Sequence, residues 1–275
     1  MSNVYRPNPT SAIGNLSLCM TTHAARCSKE YPPLFHPDVL AYGKDKLIKV
    51  PNVLPIDVPQ DNGNGYINGF IHIQIPEVSR IMNELIQPTD FMNSIVNKYH
   101  TELEGCVAGF HARRALSAAD SKCFGFYPFA SQVAVDAMVR EANKLDDPVY
   151  FLSDSVSTKE YFKSKVPLAR CLDIKIGFTA DEHSQKLEVQ DEDFQNKVNS
   201  MAEWFLLSRM PKIYMTAGGI NGRNVDSEVE EGITSTFGYS AALYGGKIPY
   251  YVFNDGYIHY PDGKGPNKRY YWSDM

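Results

Sequence analysis

The sequence predicts an α/β fold built on a parallel sheet, and three observations carry that prediction. Cys106 to Phe110 is a short apolar run without a charge, the pattern of a buried strand. Ser131 to Leu145 places Val133, Ala134, Ala137 and Met138 on one helical face, and Asp146-Asp147-Pro148 stops it. Val149 to Leu152 is a second buried-type run. Strand, helix, strand in that order is the signature of parallel pairing.

Composition narrows the classes. The chain has 275 residues, 43% hydrophobic and 21% charged, an ordinary globular balance for one large or two small domains. Its net charge of -5 offers no broad basic field, which argues against nucleic acid as a partner. No run of about 18 apolar residues suggests a membrane span, and the first residues lack the apolar core of a signal peptide. A soluble, cytoplasmic protein is expected. Cys19, Cys27, Cys106, Cys123 and Cys171 form no Cys-x-x-Cys pair, so neither a disulfide framework nor a zinc module is expected. Cys19, His23 and Cys27 share a helical face, either as metal ligands or, among Leu16, Met20 and Ala24, as core.

Taken in order, the chain opens with an extended lead. A helix is expected from Leu16 to about Glu30, with Gly14 and Asn15 just before it. A glycine there lets the backbone approach a ligand, and the first helical amides attract anions. The alternative is a plain cap by Asn15. Short strands are expected at Leu34-Phe35, Lys46 to Val50 and Val53 to Val58, in a segment rich in turn residues. Asp57, Asp61 and His72 fall in or beside a long loop and are candidates for a general base, or for turn geometry alone. Ile75 to Ile86 and Thr89 to His100 read as helices separated by Pro88, and Glu102 to Gly105 as a polar break.

The polar cluster His111-Ala-Arg113-Arg114 follows the first sheet strand, just past its carboxyl end. Ligands of open α/β sheets bind there, and an arginine pair offers planar donor forks that match phosphate oxygens. Asp154 follows the next strand and could accept hydrogen bonds from a base or a ribose. Ser157 to Lys165 suits a helix and Cys171 to Phe178 an edge strand. Asp191-Glu-Asp193 matches a bare metal-binding Asp-x-Asp pattern, but reads as the acidic first turn of a helix extending to Ser208. Lys212 to Thr216 is a strand, followed by a turn-rich loop. Ser235, Thr236 and Phe237 stand at a loop-to-helix junction, where hydroxyls beside free amides form an anion site or simply cap the helix. Lys247 to Phe253 is a last strand, and residues 254–275 form an irregular aromatic tail.

Four of these features in series resemble the fucosyltransferase superfamily with paired Rossmann-like domains, the GT-B architecture. They are Gly14-Asn15 opening the first helix, His111-x-Arg113-Arg114 after a strand, Phe151-Leu-Ser-Asp154, and Ser235-Thr236-Phe237-Gly238 before a small-residue helix. Glu203-Trp-Phe-Leu-Leu-Ser208 is similar to the helix before the family's penultimate strand.

The resemblance implies two Rossmann-like domains with a central donor cleft: residues 1–103 on the acceptor side, 104–253 binding the nucleotide sugar, and 254–275 as a tail packing back. It implies inverting sugar transfer from a nucleotide donor, GDP-fucose first, to a glycan acceptor, with no metal. Arg113 would clamp the diphosphate with His111 beside it. Ser235, Thr236 and Phe237 would hold the nucleotide from the other side, Asp154 would read the base, and Gly14 and Asn15 would close over the phosphates. The general base stays open among Asp57, Asp61, His72, Glu77 and His111. Ala115-Leu116-Ser117 stand where the family carries an aspartate. That leaves a UDP-xylose or GDP-rhamnose donor, or a non-catalytic nucleotide- or glycan-binding module, as alternatives. A nicotinamide-dependent oxidoreductase lacks its Gly-x-Gly-x-x-Gly.

Overall fold

The computed structural model describes residues 4–6, 13–27, 32–55, 75–114, 130–174, 191–217 and 236–260. Asp57, Asp61, His72, Ser235 and the tail from residue 261 lie outside these. The organising element is a six-stranded sheet. Its strands are β5 (Ala108–Ala112), β6 (Val149–Ser153), β7 (Ala169–Arg170), β8 (Ile213–Ala217), β9 (Tyr250–Phe253) and β10 (Ile258–His259). The spatial order is β10-β9-β8-β5-β6-β7. The inner pairs are all parallel, and only β10 runs antiparallel, on β9.

Among the described residues the helices of this half are α4 (Gln132–Ala142), α5 (Val156–Lys165), α6 (Asp191–Arg209) and α7 (Thr236–Tyr244). Parallel strands need crossovers, and the alternation along β5 sorts them to two faces. Ala108, Phe110 and Ala112 enter a buried cluster with Ala134, Met138 and Phe162 of α4 and α5. There Phe110 stacks on Tyr214 at 4.4 Å and Phe151 on Phe162 at 3.9 Å. On the opposite face Gly109 receives α6. A Cβ on Gly109 would stand 2.7 Å from Leu207 Cδ1 and 2.8 Å from Met210 Cγ, so only glycine lets the helix come this close.

The chain leaves β5 for β6 and β7 on one side, then crosses back to β8 and β9 on the other. The carboxyl ends of β5 and β8 therefore flank a topological switch point, the place where such sheets open a crevice.

The preceding residues form α1 (Ile13–Arg26), α2 (Ile75–Leu85) and α3 (Asp90–Glu102), with two short pairs: β1 (Val4–Tyr5) parallel to β2 (Leu34–Phe35), and β3 (Ile48–Lys49) antiparallel to β4 (Gln87–Pro88). One buried cluster runs from Leu16, Met20, Phe35 and Met82 through to Trp204, Leu206 and Ala241. A polar clasp adds to it. Ser79 Oγ and Asn83 Nδ2 both donate to the Tyr244 carbonyl, at 3.0 and 2.8 Å, satisfying the free end of α7. Tyr244 OH donates in return to the Ile86 carbonyl at 3.1 Å.

Several boundaries differ from the sequence expectation. Helix α1 begins at Ile13, so Gly14 and Asn15 lie within its first turn rather than before it. Strand β5 extends to Ala112, so His111 is inside the strand. The edge strand is Ala169–Arg170, and residues 171–174 carry no strand. The start of the tail does supply a strand, β10, too short for an alternation to declare it. The Cys19–His23–Cys27 face packs as core: His23 lies against Tyr5 and Phe35 at 5.6 and 5.9 Å, and Cys27 Sγ is 3.7 Å from His23 Nε2. Among the described residues no cluster of three or more His, Cys, Asp or Glu could hold a metal.

Candidate functional site at the sheet's switch point

The site begins with His111. It is 7% exposed, and its register neighbours are Leu152 on β6 and Met215 on β8. Its ring stacks on Phe237 of α7, centroids 5.1 Å apart at 29°. The contact requires the residue after Phe237 to be glycine. A Cβ on Gly238 would fall 2.9 Å from His111 Nδ1 and 3.1 Å from Met215 Cβ. Burial first, and the Arg113 charge second, push the imidazole down to about 3, so it is neutral at physiological pH. Nδ1 is buried, with no hydrogen-bond partner among the described residues.

Arg113 leaves the sheet where β5 ends. Its backbone N–H donates to Thr216 Oγ1 on β8 at 3.3 Å, tying together the strand ends that flank the switch point. Nε and Nη2 of its guanidinium are shielded from solvent. Water competes weakly for such a cation, so an anion meeting it is held more strongly than at the surface.

Arg114 is used differently. Its backbone N–H donates to Asp154 Oδ1 at 2.6 Å, while Nη1 donates to the Ala130 carbonyl at 2.8 Å and Nη2 to Gln132 Oε1 at 3.1 Å. The pair predicted as two phosphate forks is thus divided: one guanidinium at the switch point, the other holding the entry to α4. Ser131 caps that helix through Ala134 N–H at 3.0 Å, and is itself held by Asn254. Asp154 binds the end of β6 to the end of β5, a positional duty that a lone aspartate after a strand does not announce.

Helix α7 begins at Thr236, one residue before Phe237. Its first amides, carrying the positive end of the helix dipole, therefore lie close to His111. Its body is anchored below by Ser240, which accepts from Trp204 Nε1 at 2.9 Å and donates to the Phe237 carbonyl at 3.2 Å.

Of the general-base candidates, Glu77 stands on α2 in a fork with Arg80, at 3.0 and 2.7 Å, which holds its carboxyl below the usual range. A carboxylate so engaged is a poor base. Glu203, which sequence reasoning missed as a titrating group, is 1% exposed on α6 and 3.4 Å from Lys159 Nζ. Burial pushes it up to about 7, against the pull of Lys159. Nothing in its amphipathic helix marks that position, because apolar residues surround it.

Fold and site together define an open, doubly wound α/β sheet whose switch point gathers an arginine, a helix amino end and a neutral histidine. No family model and no curated protein matches the chain. Solved structures do. An Arabidopsis thaliana FUT1 variant in complex with GDP aligns with a TM-score of 0.52 at 14% identity, over 90% of this chain and 69% of that one. NodZ alpha-1,6-fucosyltransferase co-crystallized with GDP aligns at 0.41 and 15% identity, over 66% of this chain and 51% of that one. NodZ from Bradyrhizobium gives 0.40 and 16%, over 67% and 51%. The chain spans about half the length of the NodZ chains it matches. What it shares with FUT1 is the fold.

Proposed function

We infer that the protein is a glycosyltransferase that takes a sugar from a nucleoside diphosphate donor, with GDP-fucose as the first donor to test. The observation that carries this reading is that His111, whose imidazole the Arg113 charge reaches, stacks on Phe237 in the first turn of α7, beside the switch point between β5 and β8. Arg113 and the amino end of α7 both deliver positive charge to the place where open α/β sheets take nucleotides. The motif order that resembles the fucosyltransferase superfamily, and the FUT1-like fold, support the same assignment.

The acceptor hydroxyl oxygen attacks the anomeric carbon, the bond from that carbon to the diphosphate oxygen breaks, and the nucleoside diphosphate leaves with the electron pair. One displacement inverts the anomeric centre. Charge grows on the leaving oxygens, and Arg113 with the α7 amides and Ser235-Thr236 neutralises it. Stabilising charge as it develops usually lowers a barrier more than any other single effect. A permanently charged guanidinium supplies this without a metal. His111, being neutral, does not repel the arginine and serves as a flat wall beside the phosphates. Gly14 and Asn15 in the first turn of α1 approach from residues 1–103, and Asp154 shapes the base pocket while Arg114 secures it. The acceptor proton goes to a base that we assign to Asp57, Asp61 or His72, since Glu77 is engaged by Arg80.

The test is turnover of GDP-fucose, GDP-rhamnose and UDP-xylose, each with and without chelator. Release of nucleoside diphosphate from one donor, surviving chelator, supports the assignment. Nucleotide binding with no release from any donor and any acceptor would make the protein a binding module instead.

A further inference from the structure

A second histidine stands at a strand end, in the part of the chain that precedes the large sheet. Strand β1, helix α1 and strand β2 follow one another, and the two strands pair in parallel. Phe35 adds a parallel bridge to Val53. This is a small strand, helix, strand unit, and ligands of parallel sheets gather beyond the carboxyl ends of the strands. Arg6 directly follows β1, and His36 directly follows β2. The crossover helix α1 starts from that same edge, with Gly14 and Asn15 in its first turn.

The polar side chains at this edge are joined. Asp38 Oδ2 accepts from Arg6 Nε at 2.9 Å and lies 3.2 Å from His36 Nδ1. The same Nδ1 is 3.2 Å from the Asp38 backbone nitrogen, the contact that caps the 3-10 turn Pro37–Leu40. Nδ1 accepts from that N–H or donates to the carboxylate, according to where the ring proton sits. A bare Nδ1 would set its lone pair against a carboxylate oxygen. A protonated Nδ1 makes a charge-assisted bond to it, the stronger arrangement. The ring's lone pair is then on Nε2. Nε2 has no hydrogen-bond partner among the described residues, and the side chain keeps 13% of its surface exposed. An imidazole backed by a carboxylate at one nitrogen and open at the other is built as a general base.

The dyad lies toward the edge that carries Arg113. Helix α6 ends at Arg209 and β8 begins at Ile213, so the carboxyl end of α6 is at the amino edge of the large sheet. The helix has 19 residues, about 28 Å, against about 17 Å for the five residues of β8. Its amino end therefore overshoots the carboxyl edge. Lys44 links the two regions, because its amine feels the charge of both Asp38 and Lys197, the latter near the amino end of α6.

We propose that His36, oriented by Asp38 and Arg6, takes the proton of the acceptor hydroxyl. The hydroxyl oxygen bonds to the anomeric carbon as its proton passes to Nε2. The bond from that carbon to the diphosphate oxygen breaks, and the nucleoside diphosphate leaves with the electron pair. Nε2 then releases the proton to water. His36 is the catalytic residue in this step, and Asp38 and Arg6 are positioning residues. The proposal rests on the glycosyltransferase reading and moves its base from Asp57, Asp61 and His72 to the end of β2.

The experiment measures release of nucleoside diphosphate by the full chain from GDP-fucose, GDP-rhamnose and UDP-xylose, with lactose and diacetylchitobiose as acceptor probes beside water. His36→Asn keeps a side chain that can cap the turn and loses the base. Its melting temperature should hold while turnover falls by roughly 10²–10⁴-fold, the range for a general base. Added imidazole should restore part of the turnover of His36→Ala, and Asp38→Asn should lower kcat with donor KM unchanged. Nucleotide affinity should match the native chain in all three. Native turnover in His36→Asn would reduce His36 to a cap and overturn the proposal. So would a loss confined to Asp57→Asn, Asp61→Asn or His72→Asn, or a fall in nucleotide affinity that accounts for the lost turnover. A native chain that releases nothing from any donor removes the transferase reading and this inference with it. Release that survives in His36→Asn removes this inference alone.

Discussion

His111 and Phe237 lie face to face at 5.1 Å, joining the central strand of the sheet to the first turn of α7. The backbone of Gly238 runs so close to the imidazole that a single added carbon would sit 2.9 Å from Nδ1. Strand and helix are thus held at a spacing set by the absence of one methyl group. Gly238→Ala should push α7 away from β5, costing about 1–3 kcal/mol in stability. It should weaken nucleotide binding more than that alone explains, since the α7 amides move with it. Urea melts and nucleotide titration of the same variant check both. Native-like values in each would show that the spacing has slack.

The two arginines should separate by phenotype. Arg113→Ala is expected to lower donor turnover by roughly 10²–10³-fold with little change in stability. Arg114→Ala removes donors from the Ala130 carbonyl and Gln132, and should lose about 1–3 kcal/mol with a smaller loss of turnover. Steady-state kinetics beside thermal melts distinguish them. Equal losses of turnover would mean that both guanidinium groups reach the donor.

Two buried groups should tilt the pH dependence of stability in opposite directions. Glu203 is raised to about 7 when folded. The folded state therefore holds a proton that the unfolded state has released, and this contribution, complete below about pH 4.5, is lost as pH rises to 7. His111 is lowered to about 3. The unfolded state takes up a proton that the folded state refuses, so this contribution is present above about pH 6.5 and lost as pH falls. Between pH 4.5 and 6.5 the two slopes oppose. Glu203→Gln should leave stability rising with pH across that window, and His111→Asn should leave it falling. Denaturant midpoints at pH 4.5, 5.5 and 6.5 read the slopes, and parallel curves for both variants would exclude these environments.

The clasp between α2 and α7 offers a purely structural check. Ser79→Ala and Asn83→Ala each remove one donor from the Tyr244 carbonyl. Each should cost about 1 kcal/mol, and the double variant should lose more than the sum, because the carbonyl keeps one partner until both are gone. A double-mutant cycle measures it, and strict additivity would mean that the two bonds act independently.

Much of this was legible in the sequence because periodicity reports burial. The apolar runs at 106–110 and 149–152 and the helix face of Ala134, Ala137 and Met138 gave the parallel sheet, although Val133, expected on that face, is 48% exposed, and Ser131 and Thr89 marked helix starts that the structure caps through Ala134 and Met92. Burial could not say which polar residues a sheet would swallow. His111 reads as the end of an apolar run, yet it pairs inside β5 because Met215 and Leu152 enclose it from both neighbours. The division of labour between Arg113 and Arg114 was hidden too, since it depends on Gln132 and Thr216, distant in the chain. Glu203 and Lys159 lie on different helices, so their pairing leaves no local mark.

The measurement that bears most directly on the central claim is calorimetric titration of the native chain and of Arg113→Ala with GDP, UDP, dTDP, CMP and NAD. The account predicts that one nucleoside diphosphate binds the native protein and that affinity falls by about 2–3 kcal/mol in the variant, the scale of losing a charge-assisted bond to phosphate. Binding of GDP supports a fucosyl-type donor, and binding of UDP retains the clamp and changes the sugar. Native protein that binds none of the five, or a variant that binds the chosen nucleotide undiminished, would contradict the assignment of the switch point as a nucleotide-sugar site.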